Sequence, residues 1–201
     1  MATISYDKME GTIWYNGEML PWEDAQAHVL THGLHYASSV FEGERVYDGE
    51  IFKLEEHTDR LINSAKLLDF KIPYTAAEIN AACRDTVLQN NIVDGYVRPV
   101  AWRGSEMMGV SAQENRINLA VAVWQWPSYF DPEMRSGGIR LKTSKWCRPD
   151  PRTAPVHSKA AGLYMICTLS KHAVEAEGYD DALMLDWRGQ IAESTGANIF
   201  F

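Results

Sequence analysis

Two dipeptides constrain the fold of the first third of the chain more than any other feature. Asn16-Gly17 lies between the apolar-aromatic runs of "TIWYNGEMLPW", and Asp48-Gly49 lies between those of "VFEGERVYDGEIFKL". Both dipeptides suit the positive φ angles of a two-residue hairpin turn, and the flanking runs have the composition of β-strands. The first third is therefore predicted to contain antiparallel strands.

Helical periodicity begins after the second hairpin. Leu54, Leu61, Ala65 and Leu68 recur at helical spacing, and the T-x-x-E pattern that begins at Thr75 predicts a capping box at the start of a second helix. The runs "GYVRPVAWRG" and "RINLAVAVWQW" predict strands, of which the second is apolar enough to be buried on both faces. Hairpins, two helices and further strands indicate a mixed α and β domain.

The stretch "PSYFDPEMRSGG" is the best candidate for a domain linker, because it combines two prolines and two glycines with mixed polarity. It predicts a small N-terminal domain over residues 1–126, a linker over residues 127–137, and a second domain from residue 138. In the second domain "IRLKTSKWC", "DALMLD" and "IAES" predict strands, and residues 160–177 predict a helix that Gly178 ends.

The last residues, "ANIFF", have the pattern of a strand that has just begun. We therefore expect the second domain to be incomplete at Phe201.

Charge and composition favour a small-molecule ligand. The formal net charge is −8 and no run of Lys or Arg occurs, whereas nucleic acids and anionic membranes need clustered positive charge. Neither a signal peptide nor an apolar run long enough for a membrane span is found. The three cysteines, Cys83, Cys147 and Cys167, are widely spaced and are predicted to be reduced core residues. These features predict a cytoplasmic protein that binds neither nucleic acid nor membrane.

Several common site motifs are absent from the sequence. No G-x-x-x-x-G-K, G-x-G-x-x-G or G-x-S-x-G occurs, so P-loop, Rossmann and hydrolase interpretations have no support. His32 and His35, with Glu42 nearby, could be drawn as metal ligands, but they lack the helical context of such a site. A structural role is favoured for them, and no metal is predicted.

Lys159, within "TAPVHSKAAGLYM", is the most informative single residue. A lysine is usually a solvated surface charge. Here, however, Ser158 and the Ala-Ala-Gly that follows are small enough for a flat ring to approach the backbone, and Tyr164 could present its hydroxyl. A lysine that forms a Schiff base with a cofactor needs such an open and desolvated place. Both interpretations stay open on this stretch alone.

A pyridoxal phosphate enzyme would need further groups around such a lysine. Glu193 could hold the pyridine nitrogen, or it could be an exposed acid at a strand end. Arg60 could bind the phosphate in a bidentate manner, or it could be a solvated helix residue. Tyr96 and Arg98 share a strand face by the period of two, and together suit a substrate carboxylate.

Taken in order, these pieces resemble the fold type IV aminotransferases that use pyridoxal phosphate, and most closely the branched-chain amino acid aminotransferases. The resemblance runs along nearly the whole chain and rests on "HGLHYASSVFEGERVYDG", "YVRPVAWRGSEMMGV", "WQWPSYF", "HSKAAGLY" and "ESTGANIFF". It implies an α+β or α/β fold of two domains, with a small α/β N-terminal domain and a larger mixed-sheet C-terminal domain that looks truncated at residue 201.

The resemblance also implies roles for the candidate residues. Lys159 is expected to be the catalytic Schiff-base lysine, Glu193 the partner of the pyridine nitrogen and Arg60 a phosphate ligand. The other expected cofactor contacts are Tyr164, Ser194, Thr195, Gly196 and Asn198. The expected substrate pocket consists of Tyr36, Phe41, Gly43, Tyr96, Arg98, Met108, Val110, Trp126 and Tyr129.

In this family Tyr36 and Val110 are expected to reach in from a neighbouring subunit, so a homodimer is the expected minimum unit. The implied reaction transfers an amino group between leucine, isoleucine or valine and 2-oxoglutarate. Alternatives on the same fold are a D-amino acid transaminase, an (R)-amine transaminase and an aminodeoxychorismate lyase. The alternative outside the enzymes is a binding protein that has this fold but does not catalyse a reaction.

Overall fold

The structure, a computed structural model, describes residues 5–126 and 137–201. Contacts divide the chain into two compact units, Met1–Pro127 and Ser128–Phe201, and each is described by itself. The predicted linker over residues 127–137 lies, apart from its last residue, outside the described residues.

An antiparallel sheet forms the centre of the first unit. Its order is β2-β1-β7-β6-β4-β5, and β3 also pairs with β6. The strands are β1 (Thr12–Tyr15), β2 (Glu18–Pro21), β3 (Ser39–Phe41), β4 (Glu44–Tyr47), β5 (Glu50–Ile51), β6 (Gly95–Arg103) and β7 (Ile117–Gln125). The helices are α1 (His32–Tyr36), α2 (Leu54–Leu67) and α3 (Ala76–Gln89), with short 3-10 helices at Tyr6–Lys8 and Trp22–Asp24.

Both predicted hairpins are confirmed. Asn16 and Gly17 have φ angles of 51° and 103° and connect β1 to β2. Asp48 and Gly49, at 50° and 81°, connect β4 to β5 in the same way. Positive φ at both central residues matches the right-handed twist of the strands, which is why these two dipeptides fix the register of each hairpin.

The core of the first unit lies between the sheet and the two long helices. Leu61 of α2 and Ile79 of α3 are fully buried there with Val97, Leu119 and Val121 of the sheet. Burial of an apolar side chain of this size contributes about 1.5–3 kcal/mol, so this layer is the main source of stability.

The predicted capping box of α3 is also confirmed. The Thr75 hydroxyl accepts a hydrogen bond from the Glu78 backbone N–H at 3.3 Å, and the Glu78 carboxylate accepts one from the Thr75 N–H at 2.7 Å. The box satisfies two backbone donors that would otherwise lack partners at the helix start.

A three-stranded mixed sheet with one helix forms the described part of the second unit. Its strands, β8 (Leu141–Arg148), β9 (Asp181–Asp186) and β10 (Ile191–Ser194), lie in the order β10-β9-β8. β8 and β9 are parallel and are joined through α4 (Met165–Glu175), whereas β9 and β10 are antiparallel. Val174 of α4 packs against Ala182 and Met184 of β9.

The predicted helix over residues 160–177 needs correction at both ends. Ala160 has extended backbone, and residues Ala161–Tyr164 form a 3-10 helix, so the α-helix begins only at Met165. It ends at Glu175, and Gly178 follows with a φ of +80°. The backbone N–H of Gly178 donates to the Glu175 carbonyl, so this glycine stops the helix as predicted, from outside it.

Of the three cysteines, Cys83 and Cys167 are buried, but Cys147 on β8 is exposed, so its prediction as a core residue is wrong. All three are free thiols. Among the helices in the described ranges, none is long and apolar enough to cross a membrane.

Candidate active site

The lysine singled out in the sequence lies beside a tyrosine hydroxyl. Lys159 Nζ donates to Tyr164 Oη at 2.9 Å, and its ammonium lies 5.4 Å from the centre of the same ring. Between the two residues the backbone is extended at Ala160 and then forms the 3-10 helix Ala161–Tyr164.

The backbone around Lys159 is held on both sides. Ser158 and Ala160 are buried, and the Ser158 hydroxyl donates to the Pro155 carbonyl at 2.6 Å. Lys159 itself is half-buried between them. These neighbours fix the position of the Lys159 backbone. A residue that reacts with a bound ligand requires such a fixed position.

Glu193 pairs with an arginine from a non-adjacent strand. Arg148, the last residue of β8, lies with its Nε 3.0 Å from Glu193 Oε1 on β10, across the intervening strand β9. Arg148 also donates from Nη1 to the Leu163 carbonyl at 2.9 Å. The side chain of Arg148 is 16% exposed and that of Glu193 is 38% exposed. The carboxylate thus has a defined direction and partial access to solvent.

The turn after Glu193 is closed by its own side chains. Ser194 donates to the Ala197 carbonyl at 2.8 Å, and Thr195 donates to Asp181 Oδ1 at 2.6 Å. Both residues are buried, whereas Gly196 and Asn198 are exposed. No atom lies within 4 Å of the place where a Cβ would sit on Gly196. The backbone of this turn is therefore open to close approach.

Arg60 of α2 makes a bidentate pair with Glu42. Arg60 Nε donates to Glu42 Oε1 at 2.5 Å and Nη2 donates to Oε2 at 2.7 Å. His57, one turn earlier on the helix, lies with Nδ1 2.8 Å from the same Oε2. Because a carboxylate only accepts, we assign the proton to this ring nitrogen.

Tyr96 and Arg98 lie side by side on β6, as the strand period predicted. Arg98 Nη2 donates to Tyr96 Oη at 3.1 Å, and the guanidinium lies 4.5 Å from the centre of the Phe41 ring. Arg98 Nε is buried and has no hydrogen-bond acceptor among residues 5–126 and 137–201. A buried N–H without an acceptor is costly, so this atom favours an anionic ligand.

Two further predicted substrate residues surround Tyr96. A Cβ on Gly43 would lie 1.8 Å from Tyr96 Oη, so only glycine leaves room for this hydroxyl. The ring of Trp126 lies 5.2 Å from that of Tyr96. Phe41, Gly43, Tyr96, Arg98 and Trp126 are thus brought together at one place in the first unit.

Of the other substrate candidates, Tyr36 and Val110 are exposed. Tyr36, at the end of α1, donates to the Met108 carbonyl at 3.1 Å, and Val110 is 84% exposed. Tyr129 lies outside the described residues.

The two histidines of α1 have structural partners. His32 bonds Ser38 Oγ at 2.6 Å and the Gly109 carbonyl at 3.1 Å, and His35 bonds the Val29 carbonyl at 2.8 Å. Glu42 is occupied by Arg60 and His57. These contacts fit the structural role that the sequence favoured.

Comparison with known proteins identifies the family. Residues 39–201 match the model of the family described as amino-transferase class IV. The chain therefore belongs to the class IV aminotransferases.

Named relatives of this class IV aminotransferase are branched-chain enzymes. The chain is 44% identical to the probable branched-chain-amino-acid aminotransferase of Rickettsia felis, over 100% of this chain and 68% of that protein. It is 42% identical to the branched-chain-amino-acid aminotransferase of Pseudomonas aeruginosa, over 98% of this chain and 66% of that one.

Solved structures agree with this assignment. The branched-chain amino acid aminotransferase of T.th., solved with pyridoxamine 5'-phosphate, superposes with a TM-score of 0.89 at 40% identity, over 94% of this chain and 63% of that one. The Escherichia coli enzyme also gives 0.89, at 37% identity, over 94% and 64%. The fold type IV aminotransferase fold is thereby confirmed, and the chain spans between 63% and 68% of the length of these four proteins.

Sequence reasoning missed two residues that this class IV aminotransferase places against the candidates. Arg148 was not singled out, because it lies 45 positions before Glu193 in the chain and meets it only through the sheet. Glu42 was weighed only as a metal ligand. The sequence does contain a signal for Glu42. With a period of two, Glu42 and Glu44 lie with Val40 and Val46 on the buried side of the segment. Buried carboxylates need cationic or hydrogen-bonding partners.

Proposed function

We propose that the protein catalyses pyridoxal phosphate-dependent transamination between branched-chain L-amino acids, namely leucine, isoleucine and valine, and 2-oxoglutarate. The observation that carries this proposal is the Lys159–Tyr164 pair at 2.9 Å, found at the predicted reactive lysine of a chain 38–46% identical to proteins named for this activity. The products would be a branched 2-oxo acid and L-glutamate.

The described residues fit pyridoxal phosphate. An amine beside a hydroxyl, a carboxylate oriented by an arginine, and an open glycine backbone after that carboxylate are the groups this cofactor needs. When bound, the cofactor supplies an aldehyde that carries the amino group and a ring that accepts electrons. Lys159 would hold it covalently and Glu193 would keep its ring nitrogen protonated. We propose Arg60 as a phosphate ligand, and Tyr164, Ser194, Thr195, Gly196 and Asn198 as further contacts.

Lys159 would have a second role after the amino acid has taken its place on the cofactor. Its released amine would accept the proton of the substrate α-carbon on Nζ, which requires a neutral Nζ close to that carbon. The hydrogen bond to Tyr164 would hold Nζ in position for this transfer. Proton transfer by one held amine accounts for both halves of a transamination, since the second half reverses the first.

The substrate residues divide by chemistry. Arg98, with its buried Nε, and the hydroxyl of Tyr96 would bind the side-chain carboxylate of glutamate, with help from Tyr36 and Tyr129. Apolar side chains would surround the branched chain of leucine, isoleucine or valine: Phe41, Met108, Val110 and Trp126. Gly43 would keep the space in front of Tyr96 open.

We also propose that the protein is a cytoplasmic homodimer with small-molecule substrates. The 84% exposure of Val110 and the exposed position of Tyr36 support a neighbouring subunit at this surface.

A donor comparison tests the proposal. The full-length protein, supplied with pyridoxal phosphate and 2-oxoglutarate, is assayed with L-leucine, D-alanine and an (R)-amine. We expect turnover with L-leucine at least about a hundredfold above the other two. Activity with D-alanine or the amine alone would contradict the branched-chain assignment, and a protein that binds no cofactor would favour a non-enzyme.

A further inference from the structure

Two glutamates occupy core positions in the segment from β3 to β4. Val40, Glu42, Glu44 and Val46 alternate along the chain and are 0%, 0%, 1% and 0% exposed. A carboxylate at such a position must either meet cations or take up a proton, because an isolated buried charge is too costly.

The two glutamates differ in how they meet this requirement. Burial would raise the pKa of Glu42, but the hydrogen bonds and charges of Arg60 and His57 outweigh it and hold that pKa below 4.5. Glu44 has no hydrogen-bond partner within the described ranges, and burial, reinforced by the charge of Glu42, raises its pKa to about 8. At neutral pH, Glu42 is therefore the ionised acceptor of the pair.

The exposures within the Arg60–Glu42 pair are unequal. The side chain of Glu42 is 0% exposed, whereas that of Arg60 is 52% exposed. The carboxylate is held in place by its burial and by His57, which bonds it from a second direction. It holds the guanidinium by two parallel hydrogen bonds, which fixes the plane of the group as well as its place.

We propose that Glu42 is a positioning residue for the cofactor phosphate: it holds the Arg60 guanidinium in the orientation that binds the phosphate group. The inference rests on the proposed function, since it takes Arg60 as a phosphate ligand. An arginine that is already held loses little rotamer freedom when the phosphate arrives, so binding is tighter than to a mobile one.

The charge of Glu42 allows a positioning role to be distinguished from a purely electrostatic effect on phosphate binding. Its negative charge repels a phosphate, so electrostatics alone predicts that removing the charge tightens phosphate binding. A positioning role predicts weaker phosphate binding, because Arg60 would lose the carboxylate that holds its guanidinium. The two effects have opposite signs, and one variant separates them.

The experiment uses the full-length apoprotein, titrated by absorbance with pyridoxal phosphate and with pyridoxal, which lacks the phosphate. In Glu42→Gln we expect the Kd for pyridoxal phosphate to rise about tenfold, with that for pyridoxal within about twofold of the unsubstituted protein. Glu44→Gln is the matched control, since it removes the other buried carboxyl but no bond to Arg60, and both constants should stay within about twofold. Urea unfolding confirms that each variant is folded.

Arg60→Met separates this inference from the proposed function. If Arg60→Met weakens pyridoxal phosphate binding and Glu42→Gln leaves it unchanged or tighter, the positioning role is overturned and the phosphate role of Arg60 stands. If Arg60→Met changes neither Kd, Arg60 is not a phosphate ligand and the inference falls, while the proposed function stands. If the unsubstituted protein binds no pyridoxal phosphate, the proposed function itself fails.

Two further variants complete the test. The double variant should bind no more weakly than Arg60→Met alone, because Glu42 acts only through Arg60; additive losses would overturn the inference. Glu42→Asp keeps the buried charge on a shorter side chain. It replaces Glu42→Gln as the test variant if Glu42→Gln does not fold. It should also weaken pyridoxal phosphate selectively, and an unchanged ratio of the two constants would overturn the proposal.

Discussion

An arginine–glutamate pair lies in each unit, and the two pairs are buried in opposite ways. In the first unit Glu42 is fully buried and Arg60 is 52% exposed. In the second, the Arg148 side chain is only 16% exposed and that of Glu193 is 38% exposed. In both pairs the more exposed partner is the proposed cofactor ligand, and the more buried partner orients it.

The difference follows the charge of what each ligand is proposed to bind. A phosphate is anionic and calls for an exposed guanidinium, whereas a protonated ring nitrogen calls for an exposed carboxylate. In each case the buried partner has the opposite charge to the ligand residue. Each pair is therefore close to neutral by itself.

The largest expected effect comes from Lys159, in the same unit as the Arg148–Glu193 pair. Lys159→Arg keeps a positive charge but removes an amine that can be neutral, so kcat with L-leucine and 2-oxoglutarate should fall by about 10³-fold or more. Lys145→Arg, at an exposed lysine of β8, is the control and should change little. Retention of kcat within about tenfold would contradict the catalytic role proposed for Lys159.

Glu193→Gln should have the next largest effect. The amide cannot keep a ring nitrogen protonated, and we expect kcat to fall by about 10²-fold. The Kd for pyridoxal phosphate should change far less than kcat, which steady-state rates and absorbance titrations measure together. Equal losses in both quantities would show that Glu193 only holds the cofactor.

Arg148→Met tests the buried partner of the second pair. Glu193 would keep its charge and lose its direction, so we expect about a tenfold loss in kcat, smaller than that of Glu193→Gln. Arg148→Lys, which keeps a cation, should recover part of the loss. In the double variant with Glu193→Gln no further loss is expected, and additive losses would contradict the orienting role.

Glu44→Gln should have the smallest effect on activity, within about twofold, but a measurable one on stability. The pKa of Glu44 is raised from 4.5 to about 8 in the folded protein, so folding takes up a proton between these values. The folded state is therefore destabilised as pH rises from about 4.5 to about 8, by at most about 5 kcal/mol at roughly 1.4 kcal/mol per pKa unit.

The variant lacks this titration, so its free energy of unfolding in urea should exceed that of the unsubstituted protein increasingly from pH 5 to pH 8. Glu50→Gln, at an exposed position of the adjacent strand β5, is the matched control. The same pH trend in both variants would show that Glu44 is not the group responsible.

Local signals predicted most of the fold. The turns at Asn16-Gly17 and Asp48-Gly49 and the capping box at Thr75 depend on residues a few positions apart, and all three are confirmed. Helix α1 was missed because its five residues contain no apolar repeat. It also ends at Ala37 with a φ of 54°, where a glycine would have marked the stop.

The site was predicted less completely, for a physical reason. Lys159 and Tyr164 are close in sequence, and the local pattern predicts both as candidates. Arg148 and Glu193 meet across β9, and such a contact depends on strand order, which sequence periodicity does not contain.

The role of Lys159 is tested most directly by reducing the full-length holoprotein with borohydride and mapping the modified residue by mass spectrometry. Borohydride makes the bond between a lysine and the cofactor permanent, so we expect a phosphopyridoxyl group on Lys159 alone, absent from Lys159→Arg. A stable label on another lysine, or none on a protein that is active with L-leucine, would contradict this role.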